Sequence, residues 1–252
     1  MAKGQAFSLA QRVALVTGST AGIGRAIATA FTEAGARVAI NGRDKERVSA
    51  VAGEMEGAIE APFDVTDYDA AERAIENLVK ESGRFDILVC CASMRDRRSI
   101  AEIEPQDFRQ VLETNTVSTY QLTRLAIANM THPECGRLIF ISSTAARTPF
   151  RGDPVYASSK AAMESLARSL AFEYGHLGTT ANVIAPGFIA TEYNQSLIDD
   201  EAIKEYVQNR VPARRWAQPV EVANVAVFLA SDAASYVNGH VLLVDAGLSV
   251  IL

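Results

Sequence analysis

The chain has 252 residues, 48% of them hydrophobic and 21% charged, with a formal net charge of −6. That is ordinary globular composition with enough apolar material for a large core, and the acidic balance argues against a nucleic-acid partner or an anionic membrane surface. No apolar run nears the ~20 residues that span a bilayer. The opening MAKGQAFSLAQRVALVTG passes straight into a strand-like segment without a signal peptide's organisation, so the expected setting is cytoplasmic. Cys90, Cys91 and Cys135 give neither a disulfide framework nor metal-ligand spacing, and no metal is expected.

In chain order, short β-branched runs alternate with longer amphipathic ones. Residues 12–18 (RVALVTG) predict a strand, and GIGRAIATAFTEAG a helix stopped at Gly35. A strand follows at 37–42, a charged helix from about Asp44 to Glu56, and a strand at 58–65. TDYDAAERAIENLVKESG puts Ala71, Ile75, Leu78 and Val79 on one face and ends at Gly83. FDILVCCAS (85–93) is nearly all apolar, as a strand covered on both faces must be. A long helix is expected over 105–130, a strand at 136–143, a helix at 155–174 and a strand at 179–187. Residues 188–216 read as short helices, Pro219–Ala230 as one more, and 240–247 as the last strand. Such alternation predicts an α/β fold, a single-domain, Rossmann-like, doubly wound parallel sheet of about seven strands spanning 1–252.

TGSTAGIG (17–24) sits between the first strand and first helix, with Gly18, Gly22 and Gly24. Glycines let the backbone turn tightly and approach a pyrophosphate, whose charge then faces a helix N-terminus. The expected contacts are Gly18, Ser19, Thr20, Gly22, Ile23 and Gly24. At the end of the second strand, AINGRDKER places Gly42 where an NAD site carries an acid, and Arg43 next, whose planar fork suits a 2′-phosphate. NADP(H) is therefore preferred, with NAD(H) second, although Asp44 clouds the local charge.

In PVYASSKAAMES (154–165), Tyr156 lies four residues before Lys160, so the two share a helix face. A free phenol titrates near 10, and a fixed cation pulls that value down. Alone, such a pair is common by chance. Its context is not: TGxxxGxG, Asp64, Asn115, Ser143, Tyr156, Lys160 and NVIAPGFIATE (182–192) fall in order. The ordered set resembles the short-chain dehydrogenase/reductase family over nearly the whole chain. Within it, PGFIATEYN and RVPARRWAQPVEVANVAVFLASDAASYVNGHVLLVDAG look most like the gluconate 5-dehydrogenase group, with 3-oxoacyl-carrier-protein reductases close behind.

The resemblance implies that Tyr156 is the general acid and base, that Lys160 lowers its pKa and holds the nicotinamide ribose, and that Ser143 holds the substrate oxygen. It implies that Asn115 anchors a water leading from Lys160 to solvent. Pro186, Gly187, Ile189 and Thr191 match the segment lining the nicotinamide, and Asp64 and Val65 the adenine contacts. It also implies a homo-oligomer, tetramer or dimer, in which 188–216 covers a small-molecule substrate. One departure stands out: Cys90-Cys91-Ala92-Ser93 replaces the usual Asn-Asn-Ala-Gly. A thiol is a weaker donor than an amide, and Ser93 adds a side chain beside the cofactor, against which Ala92 also packs.

Arg95, Arg97, Arg98, Arg147, Arg151, Arg210, Arg214 and Arg215 suggest an anionic substrate such as a sugar acid or an acyl carrier. The resemblance to carrier-protein reductases implies basic residues in these two places, and carrier docking is weakened because THPECGR and EYGHLG offer only Arg137 beside His132 and His176. The expectation is an NADP(H)-dependent oxidoreductase acting on a small polar, sugar-acid-like hydroxy or oxo compound. The alternatives are a 3-oxoacyl-carrier-protein reductase and a non-catalytic dinucleotide-binding regulator.

Overall fold

The computed structural model describes residues 6–148 and 153–250. Seven strands form one parallel sheet in the order β3-β2-β1-β4-β5-β6-β7. They are β1 (Val13–Val16), β2 (Arg37–Gly42), β3 (Ile59–Pro62), β4 (Ile87–Cys90), β5 (Arg137–Ile141), β6 (Thr180–Pro186) and β7 (Val241–Val244). Each is shorter than its predicted segment at one end or both, except β2. β1, β4, β5 and β6 are buried at every position; β1 and β4 are accordingly apolar throughout, whereas β5 opens on the buried Arg137 and β6 carries the buried Thr180 and Asn182.

Helices cover both faces. α1 (Gly22–Glu33), α2 (Lys45–Gly53) and α9 (Pro219–Ala230) bury Ile27, Phe31, Val48, Val51, Val222 and Leu229 on one side. α3 (Tyr68–Ser82), α5 (Ser118–Asn129) and α6 (Pro154–Tyr174) bury Ile75, Leu78, Leu122, Met163 and Leu170 on the other. Met163 and Leu170 thus belong to the internal core, with Leu166 packed against it. The chain order reverses direction between β1, which pairs with β2 on one flank, and β4 on the other. That switch point is where α/β sheets open a crevice at the carboxyl ends of their strands.

The expected helix 105–130 is broken. α4 (Pro105–Leu112) passes through a π-helical turn at Glu113–Val117 before α5 begins. Residues 188–216 leave and re-enter the fold at one point. Ile189 bridges to Ala217, with Ala190 N–H donating to the Ala217 carbonyl and Ala217 N–H to that of Phe188. The excursion carries α7 (Gln195–Asp199) and α8 (Glu201–Arg210).

Candidate active site

A cleft of about 940 Å³ runs along the carboxyl ends of the strands, from the glycine turn to the start of α6. It is roomy enough for a dinucleotide. Its wall includes Gly18, Thr20, Gly22, Ile23, Gly24, Arg43, Asp64, Val65, Ala92, Ser93, Ser143, Tyr156, Lys160, Pro186, Gly187, Ile189 and Thr191, all predicted site positions. Two predicted residues are elsewhere. Ser19 is buried and does not reach the cleft, because its hydroxyl accepts from the Asn41 N–H at 2.9 Å. Asn115, also fully buried, lies behind the wall.

The glycine turn is set by close approach. Gly18 has φ +63°, and a Cβ there would meet the Ala92 backbone at 2.9 Å; one on Gly24 would sit 2.3 Å from the Gly18 carbonyl oxygen. Two polar side chains that the sequence reading missed hold this turn. Asn41 accepts from Gly18 N–H and donates to the Ala61 and Phe63 carbonyls. The Thr17 hydroxyl accepts from the N–H groups of Cys91 and Ala92. These bonds fix the strand-end peptides without the family's usual asparagines. Burial pushes the Cys90 thiol up to about 12 and Cys91 to about 11, so both are inert at neutral pH.

At the β2 end, the ambiguity over Asp44 is resolved: its carboxylate caps α2, accepting from the N–H groups of Glu46 and Arg47. Arg43 and the unpredicted Arg47 both line the cleft. Arg43 is 82% exposed and 3.8 Å from Asp64, whose other oxygen is taken by Thr66.

α6 opens with Pro154 at its first turn, but the preceding Asp153 makes no cap bond. Its carboxylate instead pairs bidentately with Arg95, whose guanidinium carbon lies 4.9 Å from the Tyr156 ring centroid. Tyr156 and Lys160 face the same cleft, with the Lys160 nitrogen 5.5 Å from the Tyr156 ring centroid. Lys160 is 1% exposed and donates to the Ile141 carbonyl at 2.8 Å, and burial lowers it to about 8. Burial raises the Tyr156 phenol, opposed by Arg95 and by a hydrogen bond with Ser143. Arg95 is thus the leading charge that opposes the rise of the phenol. No local spacing links residue 95 to 156, so only the fold could reveal it.

Asn115 sits at the middle of the π-turn. Its amide oxygen accepts from Met94 N–H at 2.7 Å and from the Ser93 hydroxyl, and its nitrogen donates to the Met94 carbonyl and the Ser159 hydroxyl. It ties the segment after β4 to α6.

The arginine cluster mostly neutralises itself. Arg98 pairs with Asp96 and Asp107, Arg147 with Glu164, and Arg215 with Glu221. Arg210 and Arg214 line neither cavity, and Arg151 falls outside the described residues. Arg97 differs: it lines the cleft and donates to the neutral Asn194 amide at 3.2 Å. Beside Ser143 opens a smaller cavity of about 70 Å³, walled by Phe188, Leu197, Tyr206, Trp216 and Leu248. Trp216 packs edge-on against Phe188 with ring centroids 5.0 Å apart.

The family described as enoyl-(acyl carrier protein) reductase matches residues 18–249. The gluconate 5-dehydrogenase of Gluconobacter oxydans is 36% identical over 250 residues, covering 98% of each chain. A 3-oxoacyl-[acyl-carrier-protein] reductase of Haemophilus influenzae is 35% identical over 241 residues, covering 94% of this chain and 98% of that one. Among solved structures, a gluconate 5-dehydrogenase from Burkholderia cenocepacia in complex with NADP and tartrate superposes with a TM-score of 0.92 at 32% identity, covering 98% of this chain and 99% of that one. With this sheet order, this glycine turn and these relatives, the chain belongs to the short-chain dehydrogenase/reductase family.

Proposed function

We propose that the chain is an NADP(H)-dependent oxidoreductase that interconverts a secondary alcohol and a ketone on a small, polar, sugar-acid-like substrate. The observation that carries this is the meeting of Ser143, Tyr156 and Lys160 on one cleft with the glycine turn and Arg43. The residues present fit a phosphorylated dinucleotide: a turn that side chains would fill, two arginines at the β2 end, and no acid at Gly42. When bound, the nicotinamide supplies or accepts the hydride.

The protein's part is position and a proton. Tyr156, a phenol that burial raises further, donates to the carbonyl oxygen in reduction and takes the proton back in oxidation. Ser143 holds the same oxygen and, through its hydrogen bond, eases ionisation of the phenol. Lys160 is fixed between Ile141 and the cleft, where its ammonium favours the phenolate once formed. Arg97 offers a cation whose partner is a neutral amide, which suits a carboxylate-bearing substrate.

The chain is read as one dinucleotide-binding unit in which 188–216 covers the substrate; the aromatic wall contributed by that segment and its closed base support this. A cytoplasmic homo-oligomer is the proposed setting, and the exposed Phe172 of α6 and Tyr236 offer apolar surface for it. The 3-oxoacyl-carrier-protein reductase reading is kept as the second, since a relative of that activity covers nearly the whole chain.

The test is a panel of sugar-acid and 3-oxoacyl substrates followed by absorbance of reduced cofactor, with NADPH and NADH in parallel. Turnover on sugar acids with NADPH supports the first reading, and turnover restricted to acyl thioesters the second. No turnover on any substrate, together with identical behaviour of Tyr156→Phe, removes the enzyme reading and leaves the non-catalytic regulator.

A further inference from the structure

The N-terminus of α1 lacks a cap of its own. Ala21 stands at the N-cap position with no side-chain acceptor, and the first turn carries no acid. The first N–H groups of a helix have no partner within it and, with the helix dipole, attract an anion. Here an anion arrives from 170 residues away: the Glu192 carboxylate accepts from Gly22 N–H at 3.1 Å. Its second oxygen lies 3.7 Å from where a Gly22 Cβ would be, so the carboxylate rests across the turn, and Thr191 packs beside it. A pyrophosphate bound at this turn needs that region, and a fixed carboxylate there repels it.

Glu192 also belongs to the covering segment. It opens the helical turn Glu192–Asn194, and Asn194 donates to the Ile189 carbonyl and accepts from Arg97. Three residues on, Leu197 of α7 lines the cavity beside Ser143. A shift at Glu192 therefore moves the wall of the substrate cavity and the partner of its cation.

We propose that Glu192 is a built-in competitor of the cofactor's pyrophosphate, whose displacement from the glycine turn couples cofactor binding to the placement of the substrate-covering segment. This rests on the oxidoreductase reading and deepens it. Cofactor entry releases Gly22, frees the 191–199 segment and re-sets Asn194 against Arg97, so substrate binds better after the dinucleotide than before it.

The test measures direct binding to wild type, Glu192→Gln and Glu192→Ala by calorimetry, with NADPH, ADP-ribose and adenosine 2′-monophosphate. ADP-ribose carries the pyrophosphate without a nicotinamide; adenosine 2′-monophosphate carries neither. Both variants are expected to bind NADPH and ADP-ribose about three- to tenfold tighter than wild type, with adenosine 2′-monophosphate unchanged. A general loosening of the segment would move all three ligands alike. If either variant binds NADPH no tighter than wild type, or if adenosine 2′-monophosphate gains equally, the competitor role is overturned. If wild type binds neither NADPH nor NADH, it is the cofactor reading that fails instead.

Discussion

The Lys160 ammonium stands 5.5 Å from the centroid of the Tyr156 ring while spending its hydrogen bond on the Ile141 carbonyl. The two are neighbours in one cleft, but burial acts on both more strongly than either acts on the other. Burial penalises the ammonium and lowers Lys160 to about 8, whereas in the unfolded chain it titrates near 10.4. Between these values the unfolded chain holds the extra proton, so this group's contribution to stability rises with pH. Relative to Lys160→Met, the cofactor-free wild type should gain about 2 kcal/mol between pH 7 and 9.5, read by urea unfolding. A constant difference across that range would show that the ammonium is not desolvated.

Tyr156 should separate binding from chemistry. Tyr156→Phe is expected to lower kcat by about 10²–10⁴ while NADPH binds within about twofold of wild type, since general acid–base catalysis contributes on that scale. Because the phenol is raised, ketone reduction should be strong at pH 7, and alcohol oxidation, which needs the phenolate, should climb from pH 7 to 9. Oxidation that stays flat over that range would contradict the assignment.

Arg43 and Arg47 should decide cofactor choice. Arg43 is well exposed, so the loss in Arg43→Ala should fall at the low end for a charge-assisted hydrogen bond, about tenfold in NADPH affinity. NADH affinity should not change, and the double variant with Arg47→Ala should lose the preference altogether. Equal losses for the two cofactors would place both arginines away from the 2′-phosphate.

Gly24→Ala tests the turn. The new methyl would lie 2.3 Å from the Gly18 carbonyl oxygen, a backbone atom that cannot yield cheaply. NADPH binding should fall by at least about tenfold, which is ~1.4 kcal/mol, and the melting temperature should drop as well. Unimpaired binding would mean that the turn relaxes where it looks closed.

Asn115→Leu should cost stability before chemistry. It strands the Met94 N–H and carbonyl, which Asn115 now satisfies, and removes the donor to the Ser159 hydroxyl. Unpaired buried polar groups cost about 1–3 kcal/mol each, so a loss of about 3 kcal/mol is expected by chemical denaturation.

The sequence alone carried the parallel sheet, because strands covered on both faces are predominantly apolar, as at Val13–Val16 and Ile87–Cys90. It carried the glycine turn and the Tyr156–Lys160 face for the same reason: backbone sterics and helix periodicity act over a few residues and leave local marks. What required the tertiary structure was every relationship spanning long separations. Arg95 over Tyr156, Asn115 beneath Met94, Asn41 behind Gly18 and Glu192 on Gly22 have no shared spacing to read. The balance of charge was equally hidden. Asp44 looked like a rival to Arg43 until its carboxylate was seen capping α2, and the arginine cluster thinned once Arg98, Arg147 and Arg215 were seen paired with carboxylates. Periodicity records which face is buried; which charges meet there depends on how distant segments are brought together, and that is fixed only when the chain folds.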